Sequence, residues 1–329
     1  PLFQAEDGIR DDISCLVGSE MCIRDRADHD PDVLIGWNVI NFDCWYLQRV
    51  ADALGRRLLL GRDRRPLRWR QRDDEGERRT VQCPGRVILD GIELLRAAFY
   101  RFESFSLEHV ATELLGEGKL LKGAGRGEEI GELFQQDKTA LADYNLKDCV
   151  LVSDIFTHTA MLDCAVARTA MTGLNIDRMG GSVASFDNLY LPRLHRAGYV
   201  APNANPDHRA SPGGFVLDSS PGIYDHVLVL DFKSLYPSII RTFGIDPLGL
   251  ALGVSGALSE ADTVPGFLEA RFARAGHILP ALIEQLWAQR DAAKQARDDP
   301  LSQAIKIIMN SFYGVLGTPG CRFFDARLA

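Results

Sequence analysis

An isolated carboxylate follows a short apolar run near the middle of the chain. The segment from Val227 to Ile240 reads V-L-V-L-D-F-K-S-L-Y-P-S-I-I, so Asp231 lies where a strand buried on both faces would end. A carboxylate there can bind Mg²⁺, which prefers oxygen ligands. The following proline suits the first turn of a helix, whose N-terminal N–H groups can face an anion. The segment predicts a metal and phosphate site, although a turn or cap role is the commoner use of such an Asp.

Five polar or aromatic side chains are spaced to share faces of two later helices. Arg290 and Lys294 are four residues apart on the first helix, and Lys306 and Asn310 are four apart on the second, with Tyr313 about one turn further. If the helices pack antiparallel, three cations can converge on one triphosphate. Phosphoryl transfer needs such a cluster, because catalysis rests on positioning and on neutralising charge at the β and γ oxygens. Solvated helix faces are the commoner reading of this spacing.

Composition limits the class of protein. With 329 residues, 46% of them hydrophobic, the chain can form roughly two or three domains with sizeable cores. No window reaches the roughly 18 apolar residues of a membrane span, so no membrane partner is expected. The seven cysteines form no C-x-x-C pair, which argues against zinc knuckles and disulfides and favours a reducing cytoplasm. The net charge of −8 weakly disfavours nucleic acid, but it averages over local basic patches.

The elements that would position these residues can be predicted from periodicity. A strand, loop and helix are expected between Asp32 and Asp52, and a strand entering a helix between Arg86 and Leu95. Residues 56–79 hold ten arginines against five acids and predict a basic hairpin, either a solvated ribbon or a DNA-contacting finger. Segment 202–222 is the predicted linker. Further helices are predicted at Phe105–Leu115, Lys138–Cys164, Pro280–Arg297 and Leu301–Leu316.

Two strings identify a family. The string D-x-x-S-L-Y-P-S, which starts at Asp231, resembles the first palm motif of family B DNA polymerases. The string K-I-I-M-N-S-F-Y-G, Lys306 to Gly314, resembles the fingers motif K-x-x-x-N-S-x-Y-G of the same family, and the two occur in the family's order. The resemblance implies a DNA-directed DNA polymerase that uses two Mg²⁺ ions per active site. Its partners would be primer–template DNA and dNTPs, with a sliding clamp as a further candidate.

The same resemblance implies roles for individual residues. Asp231 would bind both catalytic metals, and the Phe232 carbonyl would contact one of them. Tyr236 would select deoxyribose, because a ribose 2′-OH would clash with its ring. The implied dNTP contacts are Ser234, Leu235, Tyr236, Arg290, Lys294, Lys306 and Asn310. The implied contacts to the nascent base pair or to DNA are Tyr313, Gly314, Gly213 and Gly214.

Two further strings resemble the family's proofreading exonucleases. Asp43 closes G-W-N-V-I-N-F-D, and Tyr144 and Asp148 form a Y-x-x-x-D pair on one helix face. By resemblance, Asp43 and Asp148 would be metal ligands in a two-metal site, and Tyr144 would orient the attacking water. The Y-x-x-x-D spacing alone is mostly found on helix surfaces. The expected fold is therefore α/β and α+β multidomain: an incomplete ribonuclease H-like 3′–5′ exonuclease domain, then part of a polymerase palm and helical fingers.

The expected organisation has five parts. Residues 1–26 show no clean periodicity and resemble translated sequencing-adapter read-through, so a non-native leader is predicted. The remaining parts are an exonuclease domain at 27–165, a connecting segment at 166–222, a partial palm at 223–275 and fingers at 276–329. An early D-x-E pair and a later Y-G-D-T-D-S string are not found. The sequence thus predicts an internal fragment that neither polymerises nor proofreads alone, with an uncovered sheet edge beside Asp231.

Two other functions stay open at this stage. A free-standing ribonuclease H-like exonuclease would use its C-terminal half only as a scaffold. A non-catalytic DNA-binding relative of the polymerases would have lost key carboxylates, which the presence of Asp43, Asp148 and Asp231 disfavours. DNA replication or repair in the cytoplasm, at the nucleoid, is the expected setting.

Overall fold

The computed structural model describes residues 28–71, 79–120, 126–178, 181–204, 217–232 and 234–328. The chain divides into two compact units, with the boundary between Leu162 and Asp163. Within these ranges no single helix is long and apolar enough to cross a membrane. The pair Lys138–Thr159 and Met161–Thr172, bent by 54°, passes that test of length and composition only when its two helices are taken together.

The first unit combines short strands with helices. Its strands are β1 (Val33–Gly36), β2 (Arg68–Gln71), β3 (Arg79–Gln82) and β4 (Val87–Asp90). Its helices are α1 (Trp45–Ala53), α2 (Gly91–Ala97), α3 (Leu107–Leu115), α4 (Arg126–Gln136) and α5 (Lys138–Thr159), and α6 (Met161–Thr172) runs across the unit boundary.

A parallel strand pair organises the first unit. Strands β1 and β4 pair in parallel, with Gly36 opposite Asp90. Each strand leads towards a helix, as predicted: β1 through the π-helical turn Val39–Cys44 into α1, and β4 directly into α2. Buried Asp90 joins the two connections, because its carboxylate accepts from Ile92 N at 3.0 Å and from Asn38 N and Ile40 N at 3.3 Å each. One side chain therefore caps α2 and holds the turn that leads to α1.

The predicted basic hairpin is confirmed. Strands β2 and β3 pair antiparallel, with Trp69 opposite Val81. Trp69 packs edge-on against Trp45 of α1 at 5.3 Å between ring centroids, and the Arg79 guanidinium lies 4.2 Å from the centroid of the Trp45 ring. The hairpin is thus anchored to the unit by its aromatic side chains, while Arg68 stays exposed.

The predicted single helix Lys138–Cys164 is wrong, because it is two helices. Ala160 adopts a left-handed backbone conformation with φ of 48° and ends α5, and α6 begins at the next residue. A left-handed residue cannot continue a right-handed helix, so the chain turns sharply there. The helices predicted after β1, after β4 and at Phe105–Leu115 form, and α3 ends at Gly116 as expected, with a φ of 72°. Helix α4 was not predicted.

Helices dominate the second unit. They are α7 (Ser182–Arg196), α8 (Leu235–Phe243), α9 (Pro247–Val254), α10 (Leu279–Gln295) and α11 (Asp299–Leu316). Strands β5 (Thr263–Pro265) and β6 (Arg271–Ala273) form a short antiparallel ribbon. The ribbon and α9 lie between Ile245 and Arg274, where the sequence pattern predicted neither a helix nor a strand.

The core of the second unit forms between α7, α10 and α11. The rings of Phe186 and Tyr190 stack at 5.1 Å, and Phe312 meets Phe186 edge-on at 5.4 Å. Both predicted fingers helices form. Asp298 begins α11 by accepting from Leu301 N at 3.0 Å, which confirms a turn between the two helices.

The predicted buried strand before Asp231 does not form. Residues 227–232 have no regular secondary structure, and the side chains of Val227 to Leu230 are 66% to 90% exposed. A strand buried on both faces needs partner strands on its edges, and no strand of the described ranges pairs with this segment. The apolar run is therefore uncovered, but as irregular backbone and not as the sheet edge that was expected beside Asp231.

Candidate active sites

The turn after Asp231 ends in a helix whose first amides are free for an anion. Ser234 has a left-handed conformation with φ of 54°, and its side chain does not cap α8. Leu235 and Tyr236 open the helix with exposed side chains, and no described residue accepts a hydrogen bond from their N–H groups. The N-terminal turn of a helix carries partial positive charge. The predicted phosphate-binding amides therefore lie on a suitable helix end.

Tyr236 and Tyr313 bring the two polymerase-like strings together. Their rings are stacked, with centroids 4.1 Å apart and planes inclined by 10°. Tyr236 belongs to α8 and Tyr313 to α11, so the contact joins the predicted sugar gate to the predicted base-pair side chain. Gly314 is exposed next to Tyr313, and a Cβ atom added to it would meet no atom within 4 Å.

The predicted triphosphate cations lie on the neighbouring helices α10 and α11. Lys294, Lys306 and Asn310 are exposed, and Arg290 is half-buried with its Nε atom shielded and without a hydrogen-bond partner. No described carboxylate forms an ion pair with any of the three cations. Cations that are not neutralised internally are suited to bind an anionic ligand.

The predicted palm carboxylate, Asp231, lies outside any helix or strand. Asp231 and Phe232 are exposed and lie in irregular backbone. Among the residues that the structure describes, no group of three or more His, Cys, Asp or Glu side chains could hold a metal ion. The predicted template contacts Gly213 and Gly214 lie outside the described residues.

The predicted exonuclease residues gather in the first unit. Buried Tyr144 and partly buried Asp148 are one turn apart on α5, and exposed Asp43 lies in the π-helical turn after β1. Although the residue is exposed, neighbouring protein atoms partly desolvate the Asp43 carboxylate and raise its pKa. The pKa of the Cys149 thiol is raised by desolvation first and then by the negative charges of Asp148 and Asp43, which indicates that both carboxylates act on the same region.

Sequence reasoning missed one member of this site. The Nζ atom of Lys119 lies 2.5 Å from Asp148 Oδ2 and 3.3 Å from the Tyr144 hydroxyl. Lys119 belongs to the loop after α3, in a glycine-rich segment without a recognisable motif. Its contact with α5 arises only from the packing of the loop, so no sequence signal pointed to it.

Models of two known protein families match the chain, one in each unit. One described as DNA polymerase family B matches residues 180–329, and one described as DNA polymerase family B, exonuclease domain, matches residues 26–110. Together they cover more than half of the chain. The chain belongs to DNA polymerase family B. Asp231 and the fingers string lie within the polymerase match, and Asp43 lies within the exonuclease match.

Individual relatives agree with this assignment. DNA polymerase II of Escherichia coli (strain K12) is 56% identical over 306 residues, which span 92% of this chain and 39% of that protein. A DNA polymerase of Thermococcus sp. (strain 9oN-7) is 28% identical over a match of 338 residues, gaps included, which covers 93% of this chain and 41% of that protein. The chain therefore spans about two fifths of the length of these relatives.

A solved structure supports the fold of this family B chain. The family B DNA polymerase from the hyperthermophilic archaeon Pyrobaculum calidifontis matches it with a TM-score of 0.75 and 25% sequence identity, over 99% of this chain and 44% of that one. The predicted fold class is confirmed, with exonuclease and polymerase parts in one chain. A free-standing exonuclease is disfavoured, because the polymerase match occupies the C-terminal half.

Proposed function

We propose that this chain is part of a DNA-directed DNA polymerase that adds dNTPs to a primer 3′ end and proofreads with a 3′–5′ exonuclease. The stack of Tyr236 on Tyr313 is the observation that carries the proposal, since it joins the palm and fingers strings at one place. Primer–template DNA and dNTPs are the proposed substrates. The proposed setting is DNA replication or repair at the nucleoid, with a sliding clamp as a candidate partner.

In the proposed polymerase site, this chain's residues bind and select the nucleotide. The amides of Leu235 and Tyr236 and the cations Arg290 and Lys306 would hold the triphosphate, because both kinds of group complement negative oxygens. Lys294 and Asn310 would assist from exposed positions on the same helices. The Tyr236 ring would exclude a ribose 2′-OH by steric clash.

Oxygen ligands for Mg²⁺ are present, and they fit a hard divalent cation. Asp231 and the Phe232 carbonyl would hold it in the polymerase site, and Asp43 and Asp148 in the exonuclease site. The Oδ1 atom of Asp148 is buried without a hydrogen-bond partner among the described residues, as expected of a ligand atom awaiting a cation. When bound, Mg²⁺ neutralises developing charge and activates the attacking oxygen. Tyr144 would orient the attacking water in the exonuclease site.

Primer extension by the protein expressed from its complete reading frame tests the polymerase proposal. We expect template-dependent addition of dNTPs, and loss of at least about a hundredfold in rate with Asp231→Asn, because the carboxylate charge that holds the metal is removed. Asp218→Asn is a suitable control, since this carboxylate is also exposed in irregular backbone. Extension that survives Asp231→Asn would contradict the assignment of Asp231.

A further inference from the structure

Lys119 engages two predicted exonuclease residues at once. Its ammonium forms an ion pair with Asp148 at 2.5 Å and donates to the Tyr144 hydroxyl at 3.3 Å, and it lies 5.5 Å from the centroid of the Tyr144 ring. The side chains of Lys119 and Asp148 are only 10% and 16% exposed. The Coulomb attraction between two charges so shielded from water is stronger than in a typical surface pair, and desolvation of both groups offsets part of it.

The loop that carries Lys119 is built to hold it there. Glu108 of α3 accepts from the backbone N–H of Lys119 at 2.5 Å. The preceding loop is fastened to α5 by the ion pair between Glu117 and Lys147, at 2.6 Å. A Cβ atom at Gly118 would lie 2.6 Å from Glu108 Oε1, so the loop approaches α3 as closely as a glycine permits. Lys119 is therefore directed at Asp148 rather than free to sample the solvent.

The two oxygens of Asp148 have different surroundings. Oδ2 is held by Lys119, whereas Oδ1 is buried and has no hydrogen-bond partner among the described residues. A desolvated carboxylate oxygen without a donor is unfavourable unless a cation or a water binds it. Lys119 thus occupies one oxygen of the carboxylate and leaves the other oxygen available to a cation.

We propose that Lys119 is an internal counter-ion that competes with the divalent cation for Asp148. The proposal rests on the proposed exonuclease role of Asp148. It adds that Lys119 limits the binding of a metal ion to this carboxylate. The ammonium at Oδ2 would lie within a few ångströms of a metal ion bound at Oδ1, and two cations so close in a site shielded from water repel each other. Metal binding to both oxygens of Asp148 requires Lys119 to withdraw from Oδ2. In the free site the lysine offsets one of the two negative charges of Asp43 and Asp148, which lowers the affinity for a cation.

Binding of Mn²⁺ alone to this chain tests the proposal without any nuclease reaction. The free ion would be measured by electron paramagnetic resonance for the wild type, Lys119→Met and Lys138→Met. We expect Lys119→Met to bind Mn²⁺ about tenfold more tightly, because the competing charge is gone. Lys138→Met removes an equal charge from an exposed position at the start of the same helix, away from Asp148 and from the loop, and should change the affinity less than about twofold. Asp148→Asn added to Lys119→Met should abolish the gain.

Several outcomes would overturn the proposal: unchanged or weaker Mn²⁺ binding by Lys119→Met, an equal gain in Lys138→Met, or no binding by any variant. A purely structural lysine would lower the melting temperature of Lys119→Met and leave its Mn²⁺ affinity unchanged. If Lys119→Met does not fold, Lys119→Gln removes the charge and keeps a hydrogen-bond donor, and the same gain is expected. The exonuclease role is tested separately, by DNA hydrolysis with Asp148→Asn, so the two ideas fail independently.

Discussion

Tyr236 and Tyr313 lie face to face, with their ring centroids 4.1 Å apart and their planes inclined by 10°. The two residues are 77 positions apart in the sequence, and each ring is only partly covered by other residues. The orientation of the proposed sugar gate therefore depends on a residue of the fingers helix. An aromatic pair of this kind contributes about 0.5–1.5 kcal/mol beyond its buried area.

Removing the Tyr313 ring should weaken sugar selection. We expect Tyr313→Leu to lower the dNTP over rNTP ratio of kcat/KM by about threefold to tenfold, since the Tyr236 ring loses the stack that orients it. Tyr313→Phe keeps the stack and should preserve the ratio. Single-nucleotide incorporation kinetics on the protein from the complete reading frame would measure both. An unchanged ratio in Tyr313→Leu would show that Tyr236 is oriented without it.

Loss of Arg290 or of Lys306 should weaken dNTP binding. Arg290→Ala and Lys306→Ala are each expected to raise the Kd for a Mg²⁺–dNTP complex by about tenfold or more, because a charge-assisted contact to phosphate is lost. Fluorescence titration with a labelled dNTP would measure the affinity of this chain. Arg196→Ala, at an exposed arginine of α7, serves as the matched control for a change in net charge. Equal effects of all three changes would indicate nonspecific electrostatic binding.

The hydroxyl of Tyr190 should be important for the stability of the second unit. It donates to Asp246 Oδ1 at 3.1 Å and accepts from Leu248 N at 3.0 Å, in a fully buried position. Tyr190→Phe is expected to lower the free energy of unfolding by about 1–3 kcal/mol, because it leaves a buried N–H group without an acceptor. Tyr199→Phe, on an exposed ring, should change it by less than about 0.5 kcal/mol in urea denaturation.

The same network should make stability depend on pH. Burial raises the pKa of Asp246, which is fully buried and accepts from Leu279 N at 2.7 Å and Gly249 N at 2.9 Å. A raised folded-state pKa means that the contribution is complete below the unfolded value of about 3.9 and is lost as pH rises through the folded value. As the pH rises from the unfolded pKa to the folded pKa of Asp246, the wild type should therefore lose stability relative to Asp246→Asn. Parallel pH profiles of the two proteins would contradict the prediction.

The uncovered apolar run before Asp231 should promote association. Val229 is 90% exposed in a segment of four consecutive apolar residues. We expect Val229→Lys to reduce aggregation in light scattering, while the free energy of unfolding stays within about 0.5 kcal/mol of the wild type. Leu217→Lys changes an exposed leucine outside this run and should leave aggregation nearly unaltered. Equal improvement by both changes would point to net charge as the cause.

Sequence by itself determined those features that depend on neighbouring residues along the chain. The periodicity of apolar residues predicted α10 and α11, and the left-handed glycine at position 116 was expected to end α3. The two polymerase-like strings indicated family B, because their residues are consecutive and specific in order. The individual site residues stay predictions until variants are tested.

Only the tertiary structure decided which distant side chains meet. Lys119 reaches Asp148, and Tyr236 stacks on Tyr313, through packing between elements that no local pattern encodes. The apolar run from Val227 failed to form a strand for the same physical reason. A helix satisfies its hydrogen bonds within its own segment, whereas a strand depends on partners elsewhere. The helices could therefore be predicted from the sequence, and the side-chain contacts of both sites could not.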